Sequence, residues 1–295
     1  MFDRIIGRYL VSKGLVTREA LKEVYAAEES SRARLGVIGV SERMLTIPQA
    51  EEINALQAVE DKYFGDLAVE RGYLSPLQVT RLLALQRNPF LVFSQALVDR
   101  GVMTIEALTA QVAAYQQEHH LTSSDMAALG SDEVDRIVPI FLNTEDQDLK
   151  DLFVLSIKNI YRLADHHVCI GEAYHTTNIK SETVSYQWIH GDVDAAVAIL
   201  GHYEDVRRLA VAYTNELFIE TREDALDAVC ELINCVNGLF ASDRSRQNIH
   251  VDVEPPRYTT TFSDISASDL TIMPVYLSDA EFKLIVTKDA VARLR

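Results

Sequence analysis

The sequence predicts an α+β protein with two folded units: an all-α repeat domain over residues 1–130, then an α/β sandwich over residues 131–295 in which helices cover an antiparallel-type sheet. Three observations support this fold class. Helical units recur through the first 117 residues, the hydrophobic period changes from about 3.6 to about 2 near residue 165, and the later elements lack regular βαβ alternation. With 295 residues, 48% of them hydrophobic, the chain is long enough to bury two cores.

Equivalent positions of the first domain lie 29 residues apart, as in Gly7, Gly36 and Gly65. Each unit contains a turn residue, then a Ser or Thr suited to cap a helix, then an apolar residue inside that helix. The turn residues are Gly14, Arg43, Gly72 and Gly101, the caps are Thr17, Thr46, Ser75 and Thr104, and the apolar residues are Leu21, Ala50, Val79 and Leu108. Each unit is therefore predicted to be a short helix, a turn and a longer helix. Such units bury their apolar faces only by stacking on one another.

The second and third repeats contain a longer pattern, with Arg34-Leu35-Gly36, Val40, Phe64-Gly65, Val69, Gly72 and Tyr73-Leu74 among its positions. This pattern resembles the MshEN domain, the N-terminal module of type II secretion and type IV pilus ATPases, over residues 34–86. Some members bind cyclic di-GMP, so the resemblance implies Arg34 as a ligand-binding candidate. Gly39 and Ala68 replace leucines of the family pattern, Arg43 replaces a turn glycine, and Asn54 replaces another leucine. These departures favour a protein-interaction or scaffold module, with a cyclic di-GMP sensor as the alternative.

The second half is predicted to mix helices and strands after a boundary near residue 130. Residues 145–163 have apolar positions at helical spacing, whereas apolar and polar residues alternate at period two from residue 167. The expected helices are 145–163, 192–200, 205–218 and 225–240, and the expected strands are 167–174, 183–189, 249–253, 258–262, 270–277 and 282–287. This order favours one sheet with helices packed on it.

Composition limits the partners and the compartment. A formal net charge of -16 argues against nucleic-acid binding, because that affinity depends on Lys and Arg neutralising phosphates. No apolar stretch reaches the ~18 residues needed to cross a bilayer, so we expect no membrane insertion. Cys169, Cys230 and Cys235 lie in apolar surroundings without disulfide, redox or metal-ligand spacing, which is typical of reduced thiols. We therefore expect a cytoplasmic protein that holds no metal.

The helix predicted over residues 225–240 carries a narrow polar stripe. Asp227, Glu231, Asn234 and Asn237 recur at i, i+4, i+7 and i+10, while apolar residues cover the remaining circumference. An acid and an amide three residues apart on one exposed helix face reach the same external atom, which suits them to orient a water molecule against a docked target. The solvated face of an ordinary amphipathic helix has the same pattern. From these residues alone, both interpretations stay open.

The stripe is part of a longer motif: Asp227-x3-Glu231-x2-Asn234, then 21 residues, then Pro256. This motif is similar to the signature of the CheX and CheC family of chemotaxis phosphatases, which dephosphorylate the aspartyl phosphate of a CheY-like receiver domain. The similarity extends over about residues 145–295 and implies a CheX-like fold for this half. The helix predicted over residues 145–163 has no Glu-x2-Asn pair, so we expect one active site, as in CheX. The resemblance also implies a homodimer.

The resemblance implies that Glu231 and Asn234 are the catalytic residues. Asn234 can hold a water molecule and face a phosphoryl group without adding negative charge, because its amide has both a donor and an acceptor. Glu231 is better suited to grip a cation, the lysine that receivers place beside their phosphoaspartate. Asp227 and Pro256 have supporting or docking roles. Asn237, outside the motif, is expected to be a solvated or capping amide.

The function expected from this resemblance is an aspartyl-phosphate phosphatase of chemotaxis-type two-component signalling. Its partner is a phosphorylated CheY-like receiver, which carries the Mg²⁺ ion, so the chain needs no cofactor of its own. The alternative is a non-catalytic adaptor that docks a receiver. An adaptor has no need of a water-orienting amide, so Glu231 and Asn234 together favour the phosphatase.

Overall fold

The computed structural model describes residues 1–28, 33–57, 60, 62–86, 88–215, 219–288 and 293–294. The chain divides into two compact units, residues 2–132 and residues 133–295. The described part of the first unit is built from helices, and the second combines helices with an antiparallel sheet. The predicted α+β fold class is confirmed.

The N-terminal unit contains four successive helix pairs and one further helix. The pairs are α1 (Phe2–Ser12) with α2 (Arg18–Glu28), α3 (Leu35–Ser41) with α4 (Ile47–Gln57), α5 (Phe64–Glu70) with α6 (Pro76–Ala84), and α7 (Pro89–Asp99) with α8 (Ile105–Glu118); α9 (Ser123–Gly130) follows. First helices end at residues 12, 41, 70 and 99, and second helices begin at residues 18, 47, 76 and 105. Both series therefore keep the predicted spacing of 29 residues.

The predicted caps and turns are confirmed. The side-chain oxygens of Thr17, Thr46, Ser75 and Thr104 accept first-turn N–H groups at 3.1, 3.4, 3.3 and 3.3 Å. The turn glycines at positions 14, 72 and 101 have φ of 68°, 70° and 64°, in the left-handed region where glycine has no Cβ penalty. Arg43 adopts the same conformation, with φ of 56°. The second repeat thus keeps the turn although its residue departs from the glycine pattern.

Gly7, Gly36, Gly39 and Gly65 lie inside the first helices of their pairs, where neighbouring side chains approach closely. A Cβ on Gly65 would lie 2.7 Å from Val79 Cγ1, and a Cβ on Gly36 would lie 3.2 Å from the ring of Phe64. Both separations are shorter than the optimum of about 3.5 to 4.0 Å between carbon atoms. Packing within the repeats therefore accounts for these glycines.

The C-terminal unit places three long helices beside one antiparallel sheet. Its helices are α10 (Val134–Ile137), α11 (Gln147–Leu163), α12 (Tyr203–Thr214) and α13 (Arg222–Arg246), with a 3-10 turn (Val138–Phe141) after α10. Its strands are β1 (Cys169–Ile170), β2 (Tyr174–Ser181), β3 (Thr183–Gly191), β4 (Ala195–Gly201), β5 (Val251–Val253), β6 (Arg257–Thr259), β7 (Ser263–Tyr276), β8 (Glu281–Thr287) and β9 (Arg293–Leu294). The sheet order is β1-β7-β8-β4-β3-β5, with β2 and β9 paired to β7 and β6 paired to β3.

Two parts of this unit differ from the prediction. The helix predicted over residues 192–200 is wrong, because this segment enters β4, a central strand between β3 and β8. Its residues from Ala195 to Leu200 are all buried, and a strand buried on both faces lacks the alternation that distinguishes it from a helix. Strand β2 was not predicted because its side chains are mostly exposed. The predicted helix 205–218 corresponds to α12, and residues 216–218 lie outside the described residues.

Helix α13 has 25 residues and begins at a capping box formed by Thr221 and Asp224. It packs on β3, where the Ser185 hydroxyl donates to the Leu226 carbonyl at 3.1 Å. By length and composition it is the one helix in the described part of the chain that meets the criterion for a membrane span, with half of the tested window buried inside the protein. Core helices of soluble proteins meet the same criterion, and the contacts of α13 with the sheet agree with that role.

Candidate functional site

The solvent-facing side of α13 carries the predicted catalytic pair. Asp227 and Glu231 are exposed, and Asn234 is half-buried. Residues three or four apart are neighbours on a helix surface, so these side chains follow one another along one side. Gly238 comes one turn later; it is exposed, and nothing lies within 4 Å of the position its Cβ would take. Asp227, Glu231, Asn234 and Gly238 are called the α13 edge below.

Asn237 does not belong to the α13 edge. Its side chain is 0% exposed, so the expectation of a solvated or capping amide is wrong. The residue faces the sheet, where its Nδ2 donates to Gln187 Oε1 at 2.9 Å. Leu239, by contrast, is 47% exposed although it was expected among the apolar residues that cover the helix. The solvent-facing edge therefore continues from Asn234 through Gly238 rather than through Asn237.

The Glu231 carboxylate has no ion pair or hydrogen bond with any residue that the structure describes. Because the chain has 44 acidic and 28 basic residues, an unpaired acid is ordinary in itself, and the position of Glu231 beside Asn234 is what matters. Tyr213 of α12 lies near Glu231: burial, and then the nearby Cys235 and Glu231, raise the pKa of Tyr213. Its phenol therefore stays a protonated donor at neutral pH. Glu231 is free to meet a cation from outside the described chain.

Asn234 is held from below by a buried side chain of the sheet, Gln187 of β3, which is 1% exposed. Gln187 Nε2 donates to Asn234 Oδ1 at 2.8 Å and to the Glu254 carbonyl at 2.7 Å. Gln187 Oε1 accepts from Asn237 Nδ2 at 2.9 Å. Gln187 therefore links both asparagines of α13 to the backbone beside Pro255.

The Glu254 carbonyl determines the orientation of all three amides. A carbonyl oxygen only accepts, so the NH₂ group of Gln187 must face it, and the second N–H of that group then points to Asn234. Asn234 consequently turns its Oδ1 inward and its Nδ2 away from Gln187. Gln187 Oε1 faces Asn237, whose Nδ2 donates to it. One backbone atom thus specifies which end of Asn234 is free.

The two prolines lie where β5 gives way to β6. Both strands pair with β3, but Gln187 and Trp188 fall between the two pairings. The Glu254 N–H donates to the Trp188 carbonyl at 3.0 Å, and Pro255 and Pro256 follow. Proline has no N–H and cannot continue the ladder. Because the ladder is interrupted here, the Glu254 carbonyl accepts its hydrogen bond from the Gln187 side chain.

The residue that follows Pro256 contacts α13. The carbonyl of Arg257, the next residue, accepts a hydrogen bond from the Cys230 thiol at 3.4 Å. Burial raises the pKa of Cys230 to about 11, so the thiol is protonated at neutral pH and is not a nucleophile. Asp227, Glu231, Asn234 and the segment around Pro256 thus belong to one region of the C-terminal unit.

Sequence reasoning did not identify Gln187. A signal was present, because Thr183, Ser185 and Gln187 alternate at period two within a strand whose other residues are mostly apolar. All three are buried, which places polar groups on the side of β3 that faces α13. A buried polar side chain requires partners, and one partner of Gln187 is Asn234 of the motif.

Arg34 lies in the N-terminal unit, at the start of α3. Its guanidinium is 69% exposed and is 3.4 Å from Asp99, while its backbone N–H donates to Gln95 Oε1 at 3.0 Å. Gly39, where the MshEN pattern has leucine, lies against Leu45, and because a Cβ at position 39 would lie 2.7 Å from Leu45 Cδ1, the Leu45 side chain would have to shift. Cyclic di-GMP binding at Arg34 stays a prediction.

No group of three or more His, Cys, Asp or Glu side chains in the described ranges is placed to hold a metal ion. The chemistry available at the α13 edge is therefore that of two carboxylates and one oriented amide, with the Tyr213 phenol near Glu231. These groups can bind a cation and position a water molecule. They supply neither a thiolate nor an assembled set of metal ligands.

Of the comparisons with known proteins, only the one with solved structures found similar chains. No family model matches the chain, and no curated protein matches it. The chain is similar to a chemotaxis protein CheX from Desulfovibrio desulfuricans, at 15% identity and a TM-score of 0.42, over 48% of this chain and 99% of that one. For the CheX-CheY-BeF3-Mg complex of Borrelia burgdorferi the values are 13%, 0.39, 50% and 98%. For chemotaxis protein CheX from Vibrio vulnificus they are 11%, 0.36, 48% and 98%.

Proposed function

We propose that this chain hydrolyses the aspartyl phosphate of a CheY-like receiver domain in chemotaxis-type two-component signalling. The proposal rests on one observation: unpaired Glu231 and oriented Asn234 lie side by side on an exposed helix edge. An ordinary solvated helix face has no need of a buried glutamine to hold one of its amides. The same two residues are the acid and the amide of the phosphatase motif found in the sequence.

The reaction requires little covalent chemistry from the protein. A water oxygen forms a bond to phosphorus, the bond from phosphorus to the aspartyl oxygen breaks, and the carboxylate leaves with the electron pair while the water protons pass to phosphate and solvent. Asn234 has the groups to align that water. Its Nδ2 is available to donate, and the second lone pair of Oδ1 remains able to accept beside the Gln187 bond. Its contribution is positioning, which lowers the entropic part of the barrier.

Glu231 has the complementary task of holding the receiver. Its carboxylate projects from the same edge without an internal cation, so a lysine of the partner is able to approach it. A carboxylate close to the phosphoryl group would repel it, which favours docking over water activation for this residue. The Mg²⁺ ion of the receiver would neutralise the phosphoryl charge. Asp227 extends the docking edge, and Pro256 shapes its flank.

The direct test is the loss of phosphate from isolated CheY-like receivers phosphorylated with phosphoramidate, with and without the full-length chain. We expect faster phosphate release with the wild type and a loss of about 10²-fold in that acceleration for Asn234→Ala. Glu231→Gln should weaken receiver binding by about tenfold or more, as expected for a lost charged hydrogen bond. Asp243→Asn is the matched control, since Asp243 is an exposed acid of the same helix that helical spacing places on a different side from the α13 edge.

Other outcomes would favour the alternatives. Binding to a receiver carrying beryllofluoride and Mg²⁺, without faster phosphate release from any receiver, would make the chain an adaptor. Heat on titrating cyclic di-GMP into the full chain, abolished in Arg34→Ala, would make the N-terminal unit a second-messenger sensor. We propose instead that this unit is a protein-interaction scaffold. The homodimer implied by the resemblance is tested by the mass in solution.

A further inference from the structure

The buried amides of Gln187 and Asn237 beneath the α13 edge lower the stability of the fold, because one of their polar atoms has no described hydrogen-bond partner. Gln187, at 1% exposure, and Asn237, at 0%, both lie in the core between α13 and β3. Asn237 Oδ1 has no hydrogen-bond partner among the described residues. A buried polar atom without a partner lowers stability, because it has lost its hydrogen bonds to water and gained none in the protein. Apolar side chains of similar volume would fill these two positions without that loss.

The network nevertheless has one effect at the surface. Both N–H groups of Gln187 are committed, one to the Glu254 carbonyl at 2.7 Å and one to Asn234 Oδ1 at 2.8 Å. Asn237 occupies Gln187 Oε1 and thereby prevents the glutamine amide from turning over. A free asparagine amide has two nearly equivalent orientations, whereas Asn234 is restricted to one.

We propose that Gln187 is a positioning residue that fixes the amide of Asn234 with Oδ1 inward and Nδ2 outward. This inference rests on the proposed function, because the orientation matters for rate only if Asn234 aligns the attacking water. Asn237 acts one step further away by locking Gln187. The unpartnered oxygen of Asn237 is the stability cost of that lock.

Removing Gln187 should therefore affect the rate more than the binding. In Gln187→Met the amide of Asn234 loses its buried partner and turns between its two orientations. We expect the maximal rate of phosphate release to fall by roughly tenfold or more, while the receiver concentration at half-maximal rate stays within about twofold. Ser185→Ala is the matched control: it is a buried polar residue on the same face of β3 and contacts α13 through a backbone carbonyl.

A double-mutant cycle separates positioning from a general loss of structure. If Gln187 acts through Asn234, adding Gln187→Met to Asn234→Ala should leave the already reduced rate unchanged. If the two losses multiply instead, or if Gln187→Met alone keeps the full rate, the proposal is overturned. Should Gln187→Met fold poorly, Gln187→Met combined with Asn237→Leu removes both polar partners from the core and should fold, since replacing both partners is nearly neutral.

A spectroscopic readout tests the inference without any hydrolysis. The side-chain ¹⁵N–¹H₂ group of Asn234, assigned by its absence in Asn234→Ala, should have a high NMR order parameter in the wild type. In Gln187→Met this order parameter should fall, and in Ser185→Ala it should stay high. An unchanged order parameter in Gln187→Met would refute the positioning role. If the wild type accelerates no receiver but Gln187→Met still lowers the order parameter, the proposed function is refuted and the positioning role stands.

Discussion

The glycines of the N-terminal repeats and Gly238 of the C-terminal unit differ in the space around the position that a Cβ would take. Gly65 and Gly36 are required by side chains that approach within 2.7 and 3.2 Å of a Cβ position, and Gly72 is required by a left-handed φ of 70°. Gly238 has neither a close neighbour nor a positive φ. A glycine inside a helix costs about 0.8 to 1 kcal/mol relative to alanine. No contact among the described residues of the C-terminal unit offsets that cost at position 238.

Buried amides show the same contrast. Gln95 of the N-terminal unit is 2% exposed and is bonded at both ends, to the Arg34 N–H and to Asp99. Asn237 is 0% exposed and is bonded at one end. Gln95 therefore satisfies both ends of its amide within the repeats. At the α13 edge Gly238 has no close described neighbour, and beneath it Asn237 Oδ1 has no described partner, which agrees with the docking surface that we propose.

The largest expected effect on stability comes from an internal ion pair of the C-terminal unit, which is satisfied, unlike Asn237. The Arg244 side chain is 5% exposed and lies 2.9 Å from Asp148 and 2.5 Å from Asp151. Arg244→Met removes the cationic partner of Asp151 and one of the two cationic partners of Asp148, which keeps Lys288 at 2.9 Å. We therefore expect a loss of about 3 kcal/mol in the free energy of unfolding. Denaturant unfolding measures it, with Arg246→Met, an exposed arginine of the same helical turn, as the control. Equal stability of both variants would show that the Arg244 pairs are not structural.

The next effect concerns a repeat glycine. Gly65→Ala places a methyl group 2.7 Å from Val79 Cγ1, and valine has little freedom to move aside. We expect a loss of about 1 to 3 kcal/mol in stability from overpacking, with no change in receiver hydrolysis. Combining Gly65→Ala with Val79→Ala should restore most of that stability. Failure of the second change to restore it would remove the packing explanation.

Gly238→Ala should raise the stability, whereas Gly65→Ala should lower it. Open space surrounds the new methyl group, so helix propensity alone predicts a gain of about 0.8 to 1 kcal/mol. Receiver binding should weaken, because the methyl group stands one turn from Asn234 on the face that we propose docks the partner. Thermal unfolding and titration with a beryllofluoride-loaded receiver measure the two effects. A variant that is more stable and binds equally well would show that Gly238 is not part of the docking face.

The smallest effect compares a paired acid with an unpaired one. A hydrogen bond from the Tyr203 N–H, then the Arg222 guanidinium, lower the pKa of Glu182 despite some burial. A lowered folded-state pKa gives stability that is complete above the unfolded value and is lost as the pH falls through the folded value. Glu182→Gln should therefore lower Tm at pH 7, and the difference from wild type should shrink as the pH falls below about 4.

Glu231→Gln is the control for that titration. Since Glu231 has no described ion pair, its substitution should leave Tm unchanged at pH 7. A Tm at pH 7 that falls as much as in Glu182→Gln would mean that Glu231 has a structural partner after all. The interpretation of Glu231 as a free docking residue would then fail.

The parts that sequence predicted correctly depend on local interactions. A cap such as Thr104 or a turn such as that at Gly101 is determined within a few residues, so spacing alone located them. The segment around Ala198 was predicted as a helix, because its strand is buried on both faces and shows no alternation. Glu231 faces solvent, as the polar stripe predicted, whereas Asn237 of the same stripe is buried. Which asparagine turns inward depends on Gln187, fifty residues earlier, and no local pattern contains that contact.

The interruption between β5 and β6 has a consequence for how the site tolerates mutation. The orientation of Asn234 begins at a main-chain oxygen, that of Glu254, and substitution cannot delete a main-chain oxygen. The side chain at position 254 is therefore open to exchange, as are its contacts with His190 and Arg257. Substitution can therefore change the charge at position 254 without removing the main-chain oxygen that orients the Asn234 amide.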